Sequence, residues 1–220
     1  RISWQDWHII IIRAFAELAA TVCFLNALVY MLLANVTAIL QSLPLTVTMF
    51  AALFMGEAVG WRRWTAILIG FFGVLIIVQP GGEGFNTFTA LALLSVLFVT
   101  VRDAITRKLS RSVPSLFVAL IAAIPVWLFG GVVTVNQGWV EVGGRELVFS
   151  VIAALAITAG YLFAVMAMRR GDVSFVTPFR YTGMIWAIVY GYVFFGYLPD
   201  SATVGGTALV IGMGVYSFHR

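Results

Sequence analysis

The sequence is built from eight long apolar stretches that are separated by short polar breaks. The stretches cover residues 9–32, 36–55, 64–80, 87–106, 114–135, 147–168, 173–195 and 201–218. Each is close to the roughly 20 residues that a helix needs to cross the hydrocarbon core of a membrane. Their apolar residues are continuous rather than alternating, which favours helices over the strands of a barrel. The pattern predicts an all-α integral membrane protein.

Basic residues collect on one side when the breaks are numbered alternately. One set of ends holds nine cations: Arg1, Arg62, Arg63, Arg107, Lys108, Arg111, Arg169, Arg170 and Arg220. The opposite set holds mainly acidic residues: Glu83, Glu141, Arg145, Glu146 and Asp200. Cytoplasmic loops retain Lys and Arg, so we predict that the first set, with the C-terminus, is cytoplasmic.

Composition supports lipid as the solvent of the chain. Of 220 residues, 62% are hydrophobic and 10% are charged, whereas a soluble domain carries about 25% charged residues. The net charge of +4 comes from loop residues that set topology, so we expect no nucleic-acid partner. The single Cys23 has no disulfide partner, and His8 and His219 are the two histidines. We therefore expect neither a metal site nor a cofactor.

The first three apolar stretches resemble the last three. Residues 27–44 align with 164–181, and the glycines of 64–80 correspond to those of 201–218: Gly70 and Gly73 to Gly205, Gly206, Gly212 and Gly214. By the charge pattern the first stretch starts in the cytoplasm and its counterpart starts outside. The repeat is therefore predicted to be inverted, an architecture common among secondary carriers.

The second unit contains two stretches, 87–106 and 114–135, that have no counterpart before residue 1. We therefore expect two inverted five-helix units, of which eight helices out of ten are present. Residues 1–80 would hold the last three helices of the first unit, and 87–220 the complete second unit. The alternative is a true eight-helix protein with broken pseudo-symmetry.

Several segments resemble the EamA family of the drug/metabolite transporter superfamily. Residues 171–200 and 205–216 are similar to its last two helices, and 27–64 with 70–81 agree in the first unit. Residues 101–119 resemble a subgroup of S-adenosylmethionine-uptake-like and riboflavin-importer-like carriers. The resemblance implies a ten-helix carrier with both termini cytoplasmic. The family often carries a Glu after the corresponding glycine of each unit. This sequence keeps it in the first unit, where Glu57 follows Gly56, but has Tyr197 after Gly196 in the second.

Ionisable residues within a membrane span are candidates for function, and Arg180 is the strongest. It follows Pro178, which removes a backbone donor and loosens the helix beside the charge. Its planar guanidinium suits a carboxylate or phosphate, so Arg180, with Tyr181, could anchor an anionic or zwitterionic solute. The alternative is a structural arginine that is paired with a carboxylate or with the freed carbonyl groups.

Gln41 and Pro44 occupy the matching part of the second stretch. The inverted repeat predicts that they lie against the segment 178–181 near the midplane of the membrane. An amide beside a loosened backbone offers donors and acceptors without net charge, which suits a substrate site. The alternative is a helix kink with an interhelical hydrogen bond.

Arg13 and Glu17 are four residues apart and can pair on one face of a helix. Glu17 is alternatively a site for a coupling proton, and Asn26 is expected to face the cavity. Arg102 and Asp103 are adjacent, so we do not expect them to pair with each other, and they are interpreted as gate or topology residues.

Tyr161 and Trp186 are candidates for stacking on a planar solute, with lipid or packing contacts as the alternative. Together with the residues above, they make up the predicted solute site. The sequence contains neither a Walker motif nor an HExxH motif, which disfavours ATP hydrolysis and zinc-dependent catalysis.

The predicted function is secondary transport of a small polar metabolite across the bacterial inner membrane, with solute and lipid bilayer as partners. A homodimer is left open as the assembly state. The alternatives are a multidrug or amino-acid exporter of the same fold, an integral membrane enzyme, and a structural membrane subunit.

Overall fold

The protein forms a bundle of helices in a computed structural model that describes residues 2–81, 85–110, 112–170 and 180–218. In these ranges we number nine α-helices and find no strand. They are α1 (Trp4–Tyr30), α2 (Leu33–Leu40), α3 (Leu43–Phe54), α4 (Trp61–Val78), α5 (Thr87–Thr106), α6 (Ser115–Gln137), α7 (Gly144–Arg170), α8 (Thr182–Phe195) and α9 (Ser201–Phe218).

Six segments within the described ranges are long and apolar enough to cross a membrane, and α2 and α3 together form one of them. The helices α8 and α9 are apolar but shorter. The predicted all-α membrane fold is therefore confirmed. Residues 171–179, with the predicted kink at Pro178, lie outside the described ranges.

The second predicted span, 36–55, is two helices rather than one. At the junction the Ser42 amide bonds to the Ile39 carbonyl three residues back at 3.1 Å, and the Gln41 amide is shared between the Thr37 and Ala38 carbonyls at 3.1 and 3.2 Å. Pro44 stands at the start of α3. Proline has no N–H to donate and its ring clashes with the preceding turn, so the helix stops and restarts here. The break places Gln41 at a helix end.

The first helix begins earlier than its apolar stretch predicts. It starts at Trp4 rather than at residue 9, because Ser3 caps it by accepting a 3.1 Å hydrogen bond from the Asp6 amide. A side-chain cap of this kind satisfies one of the free amides of the first turn and favours helix formation. The polar residues before the apolar stretch therefore belong to α1.

Helices α1 and α5 are antiparallel neighbours in the centre of the bundle. Small residues line the buried face of α1, including Ala16, Ala20 and Ala27, and they allow close approach of the backbones. The hydroxyl of Ser95 in α5 donates a 3.1 Å hydrogen bond to the Ala20 carbonyl. This packing brings the first half of α1 beside the end of α5.

Helices α4 and α9, which the repeat predicts to be counterparts, cross at a pair of glycines. A Cβ atom on Gly73 would lie 2.8 Å from the Gly206 carbonyl oxygen, and one on Gly206 would lie 2.6 Å from that of Gly73. Neither position has room for a side chain. The reciprocal contact joins the predicted first unit to the predicted second unit.

Large apolar side chains cover the outside of the bundle. On α6 only Val118 and Ala122 are buried, and residues such as Trp127, Leu155 and Phe163 are exposed. A surface of this composition is stable in lipid rather than in water. The charged residues described next lie inside this apolar shell.

Candidate functional site

Five charged side chains and one tyrosine meet at the end of the bundle where α5 stops. Arg13 and Glu17 come from α1, Arg102 and Asp103 from the last turns of α5, Tyr161 from α7, and Arg180 lies two residues before α8. We call these six residues the polar cluster. Charged groups inside an apolar bundle are expensive and therefore mark candidate functional sites.

Arg102 is at the centre of the polar cluster. Its Nη1 donates to both carboxylate oxygens of Glu17 at 3.0 Å, and its Nε and Nη2 reach Asp103 Oδ1 at 2.9 and 2.8 Å. The prediction that adjacent Arg102 and Asp103 do not pair is therefore wrong. The long arginine side chain folds back along the helix, so its reach exceeds what the Cβ directions indicate.

Arg180 pairs with the second oxygen of the same carboxylate. Its Nη1 donates to Asp103 Oδ2 at 2.8 Å, so Asp103 links two arginines. The side chain of Arg180 is 28% exposed, whereas that of Asp103 is 8% exposed. This geometry agrees with the structural alternative that the sequence left open, an arginine paired with a carboxylate. It also leaves part of the guanidinium accessible.

Arg13 and Glu17 are linked through a hydroxyl rather than directly. The Tyr161 hydroxyl accepts a 2.6 Å hydrogen bond from Arg13 Nη2 and donates a 2.8 Å bond to Glu17 Oε2. The predicted direct pair is therefore wrong, because α5 and α7 present nearer partners to both residues. Arg13 also lies over the Tyr161 ring, 5.4 Å from its centroid. Tyr161 is thus a member of the polar cluster.

Thr106 is a member of the site that the sequence analysis missed. Its Oγ1 accepts a 2.9 Å hydrogen bond from Arg13 Nε and donates one of 2.6 Å to the Arg102 carbonyl. A threonine at the end of an apolar stretch gives no signal of this role. The helix pair α1–α5 creates it.

Gln41 lies against the start of α8, close to the predicted partner segment. A Cβ atom on Gly183 would be 3.8 Å from Gln41 Nε2, and Gln41 is buried. Tyr181 is buried too, and its hydroxyl has no hydrogen-bond partner in the described part of the chain. The Tyr181 hydroxyl packs against Gly214, which has no room for a side chain.

Asn26 and Trp186 also lie outside the polar cluster, as Gln41, Pro44 and Tyr181 do. Asn26 is exposed, and its Nδ2 donates to the Val22 carbonyl at 2.8 Å on its own helix. Trp186 is 55% exposed and stacks on Tyr190 at 5.8 Å. Asn26 shares an exposed face of α1 with Leu25 and Val29, and its place in a cavity stays a prediction.

The described residues contain no group of three or more His, Cys, Asp or Glu side chains that could hold a metal. What the polar cluster offers is instead a set of guanidinium and hydroxyl donors that are held in place by two carboxylates. Such donors bind carboxylate or phosphate oxygens.

Comparisons with known proteins identify the family of the chain. The EamA-like transporter family matches residues 1–79 and 87–217. A riboflavin transporter of Rhizobium johnstonii is 30% identical over 185 residues, which cover 81% of this chain and 59% of that protein. An S-adenosylmethionine uptake transporter of Rickettsia felis is 24% identical over 182 residues, or 80% and 59%. A pseudopaline exporter of Pseudomonas aeruginosa is 26% identical over 219 residues, or 96% and 74%.

A solved crystal structure of a protein has the same fold, with a TM-score of 0.68 and 21% identity over 100% of this chain and 79% of that one. The chain spans 59% of the length of the first two relatives. The family and the relatives are named for transport rather than for catalysis, as the sequence predicted. Because the family match covers almost all of the sequence, the protein belongs to the EamA-like transporter family.

Proposed function

We propose that the full-length protein is a secondary transporter that carries a small polar metabolite across the bacterial inner membrane. The family match supports this function, and so do relatives that are named for moving riboflavin, S-adenosylmethionine and pseudopaline. Two inverted units would alternate in their access to a site between them.

The contact between Arg102 and Glu17 carries the proposal. It joins α1, in the predicted first unit, to α5, in the predicted second unit, with both carboxylate oxygens 3.0 Å from one guanidinium nitrogen. The side chains of Arg102 and Glu17 are 16% and 13% exposed, so removing either partner leaves a largely desolvated charge without its counter-charge.

The polar cluster would act as a closed gate at one end of the bundle. The charge pattern makes this end cytoplasmic, with the C-terminus on the same side. Opening toward that side separates α1 from α5, which breaks the contact between Arg102 and Glu17. A solute favours opening only if it binds the open arrangement more tightly than the closed one. A solute group that replaces a lost carboxylate partner meets this requirement.

The break between α2 and α3 would supply the neutral part of the solute site. Gln41 and Pro44 lie at that break, and Tyr181 lies across from it beside Gly183. Interrupted helices leave amide and carbonyl groups free for a solute at membrane depth. Arg180 would connect this neutral part to the polar cluster.

The same fold supports export as well as uptake, and the relatives are named for both directions. Export therefore stays the alternative to uptake, and the transport experiment described next tests both directions. A homodimer stays a prediction that the molar mass of the detergent-solubilised protein would check.

The experiment is transport by the full-length protein in proteoliposomes, with a panel of amino acids, carboxylates, nucleoside-type metabolites and riboflavin. We expect at least one solute to be carried by wild type. For that solute, Arg180→Ala should lower the rate by at least about tenfold, because a charge-assisted contact contributes about 1.5–3 kcal/mol. The matched control Arg145→Gln removes an exposed arginine from the opposite end and should leave the rate unchanged.

Two results would contradict the proposal. One is that no solute of any class moves faster than through empty liposomes in either direction. The other concerns the site: if Arg180→Ala transports at the wild-type rate with its fold intact, Arg180 has a structural role alone.

A further inference from the structure

The polar cluster has more positive than negative charge. Three guanidinium groups, of Arg13, Arg102 and Arg180, face two carboxylates, of Glu17 and Asp103. One positive charge is therefore left over in the described part of the cluster. The nearby Arg107 is paired with Glu57 at 3.5 Å and does not change this balance.

Arg13 is the cation without a counter-charge. It is 3% exposed, and its Nε and Nη2 donate to the neutral hydroxyls of Thr106 and Tyr161. Its Nη1 is buried and has no hydrogen-bond partner among the described residues. Glu17 gives its oxygens to Arg102 and Tyr161 instead. A buried cation with a free donor is strongly unfavourable unless an anion neutralises it.

Other acidic groups around α1 are engaged elsewhere. Asp6, two turns before Arg13, accepts hydrogen bonds from the Ser3 hydroxyl and from the Ser110 amide. Its position near the start of α1 separates it from Arg13 by about 10 Å along the helix axis. The described chain therefore supplies no carboxylate in direct contact with Arg13.

We propose that Arg13 is an anion site that binds a carboxylate or phosphate group, with Tyr161 and Thr106 as its hydroxyl neighbours. The anion would be either a group of the transported solute or a small inorganic ion. Its assignment to the solute rests on the proposed function, whereas anion binding itself does not. The planar guanidinium favours an oxyanion, which accepts two of its N–H bonds at once.

The site also explains the position of Tyr161. Its hydroxyl already donates to Glu17 and accepts from Arg13, so it holds the guanidinium beside a fixed negative charge without pairing the two directly. Arg13 therefore keeps a free donor while remaining tolerable inside the bundle. Binding of an anion there completes the charge balance between α1, α5 and α7.

The test is calorimetric titration of the purified full-length protein in detergent with acetate, phosphate and chloride. A bulky sulfonate buffer keeps the ionic strength constant. We expect wild type to bind at least one of the three anions. Binding of acetate without phosphate or chloride indicates a carboxylate group of a solute as the occupant. Binding of inorganic phosphate or chloride indicates that a small inorganic ion occupies the site.

Two variants change the charge balance in opposite directions. Arg13→Gln removes the excess charge and should weaken binding about tenfold or more, whereas Glu17→Gln raises the excess and frees Arg102, which should tighten binding about tenfold. Arg145→Gln, an exposed loss of the same charge, is the matched control and should leave binding unchanged. Should Arg13→Gln fail to fold, the sign of the Glu17→Gln effect decides.

The proposal is overturned if wild type binds none of the three anions, or if Arg13→Gln binds them as tightly as wild type does. It is also overturned if Glu17→Gln weakens binding. Anion binding in a protein that transports nothing would leave this site standing while the transport function fails. If the protein transports a solute and neither anions nor Arg13→Gln inhibits that transport, the transport function stands while the anion site fails.

Discussion

Replacing Tyr161 by phenylalanine removes one hydroxyl and keeps the ring, so it isolates the polar contribution of this residue to the cluster. The hydroxyl bonds to Arg13 Nη2 at 2.6 Å and to Glu17 Oε2 at 2.8 Å. The ring that lies under the Arg13 guanidinium stays in place. The variant therefore deletes two charge-assisted hydrogen bonds with almost no change in packed volume.

The expected loss follows from what each partner retains. Glu17 keeps both bonds to Arg102 and is little affected. Arg13 keeps Thr106 alone and gains a second unpartnered nitrogen beside Nη1. A hydrogen bond to a charged group contributes about 1.5–3 kcal/mol, so we expect Tyr161→Phe to destabilise the protein by about 3 kcal/mol. For a chain of this size that corresponds to a Tm lower by about 6–12 °C.

Thermal unfolding in detergent, followed by the loss of helical circular dichroism, measures this change. Tyr190→Phe is the matched control, because Tyr190 is 46% exposed and its ring stacks on Trp186. We expect the control to shift Tm by less than about 2 °C. If the two variants have the same Tm, the Tyr161 hydroxyl does not stabilise the cluster, and its bonds to Arg13 and Glu17 are wrong.

Two further predictions concern contacts between the predicted units. Gly206→Val should destabilise the bundle by about 1–3 kcal/mol or more, because the new side chain would meet the Gly73 backbone. Gly205 faces open space, so Gly205→Val should have the Tm of wild type. Equal Tm values for the two variants would refute the close crossing of α4 and α9. A double-mutant cycle of Glu17→Gln and Arg102→Gln should give a coupling of at least about 1 kcal/mol in unfolding, and additive effects would show that the pair contributes nothing.

Much of the architecture could be predicted from sequence. The lengths of the apolar stretches determine where helices cross, because backbone groups in lipid must be satisfied within the segment. The prediction went wrong at the ends and breaks of helices. The Ser3 cap extends α1, and Pro44 divides the second span. Both effects depend on single residues, which hardly change the mean hydropathy of a stretch.

Most members of the polar cluster could be picked out from the sequence one by one, but not their arrangement. Arg13, Glu17, Tyr161 and Arg180 each stood out as polar groups in apolar segments, and all four lie in one cluster. Which of them pair was predicted wrongly, and Arg102 at the centre was assigned a minor role. The spacing of residues in the sequence indicates which of them are neighbours on one helix, whereas a long arginine side chain also contacts residues of other helices.

The sequence by itself therefore determined the number of apolar spans and the chemical types inside them. Tertiary structure alone decided the partners: α5 delivers Arg102 to Glu17, and α7 delivers the Tyr161 hydroxyl between Arg13 and Glu17. The physical reason is one of range. Lipid solvation acts on each segment separately, and hydrogen bonds select partners within 3 Å whatever their separation along the chain.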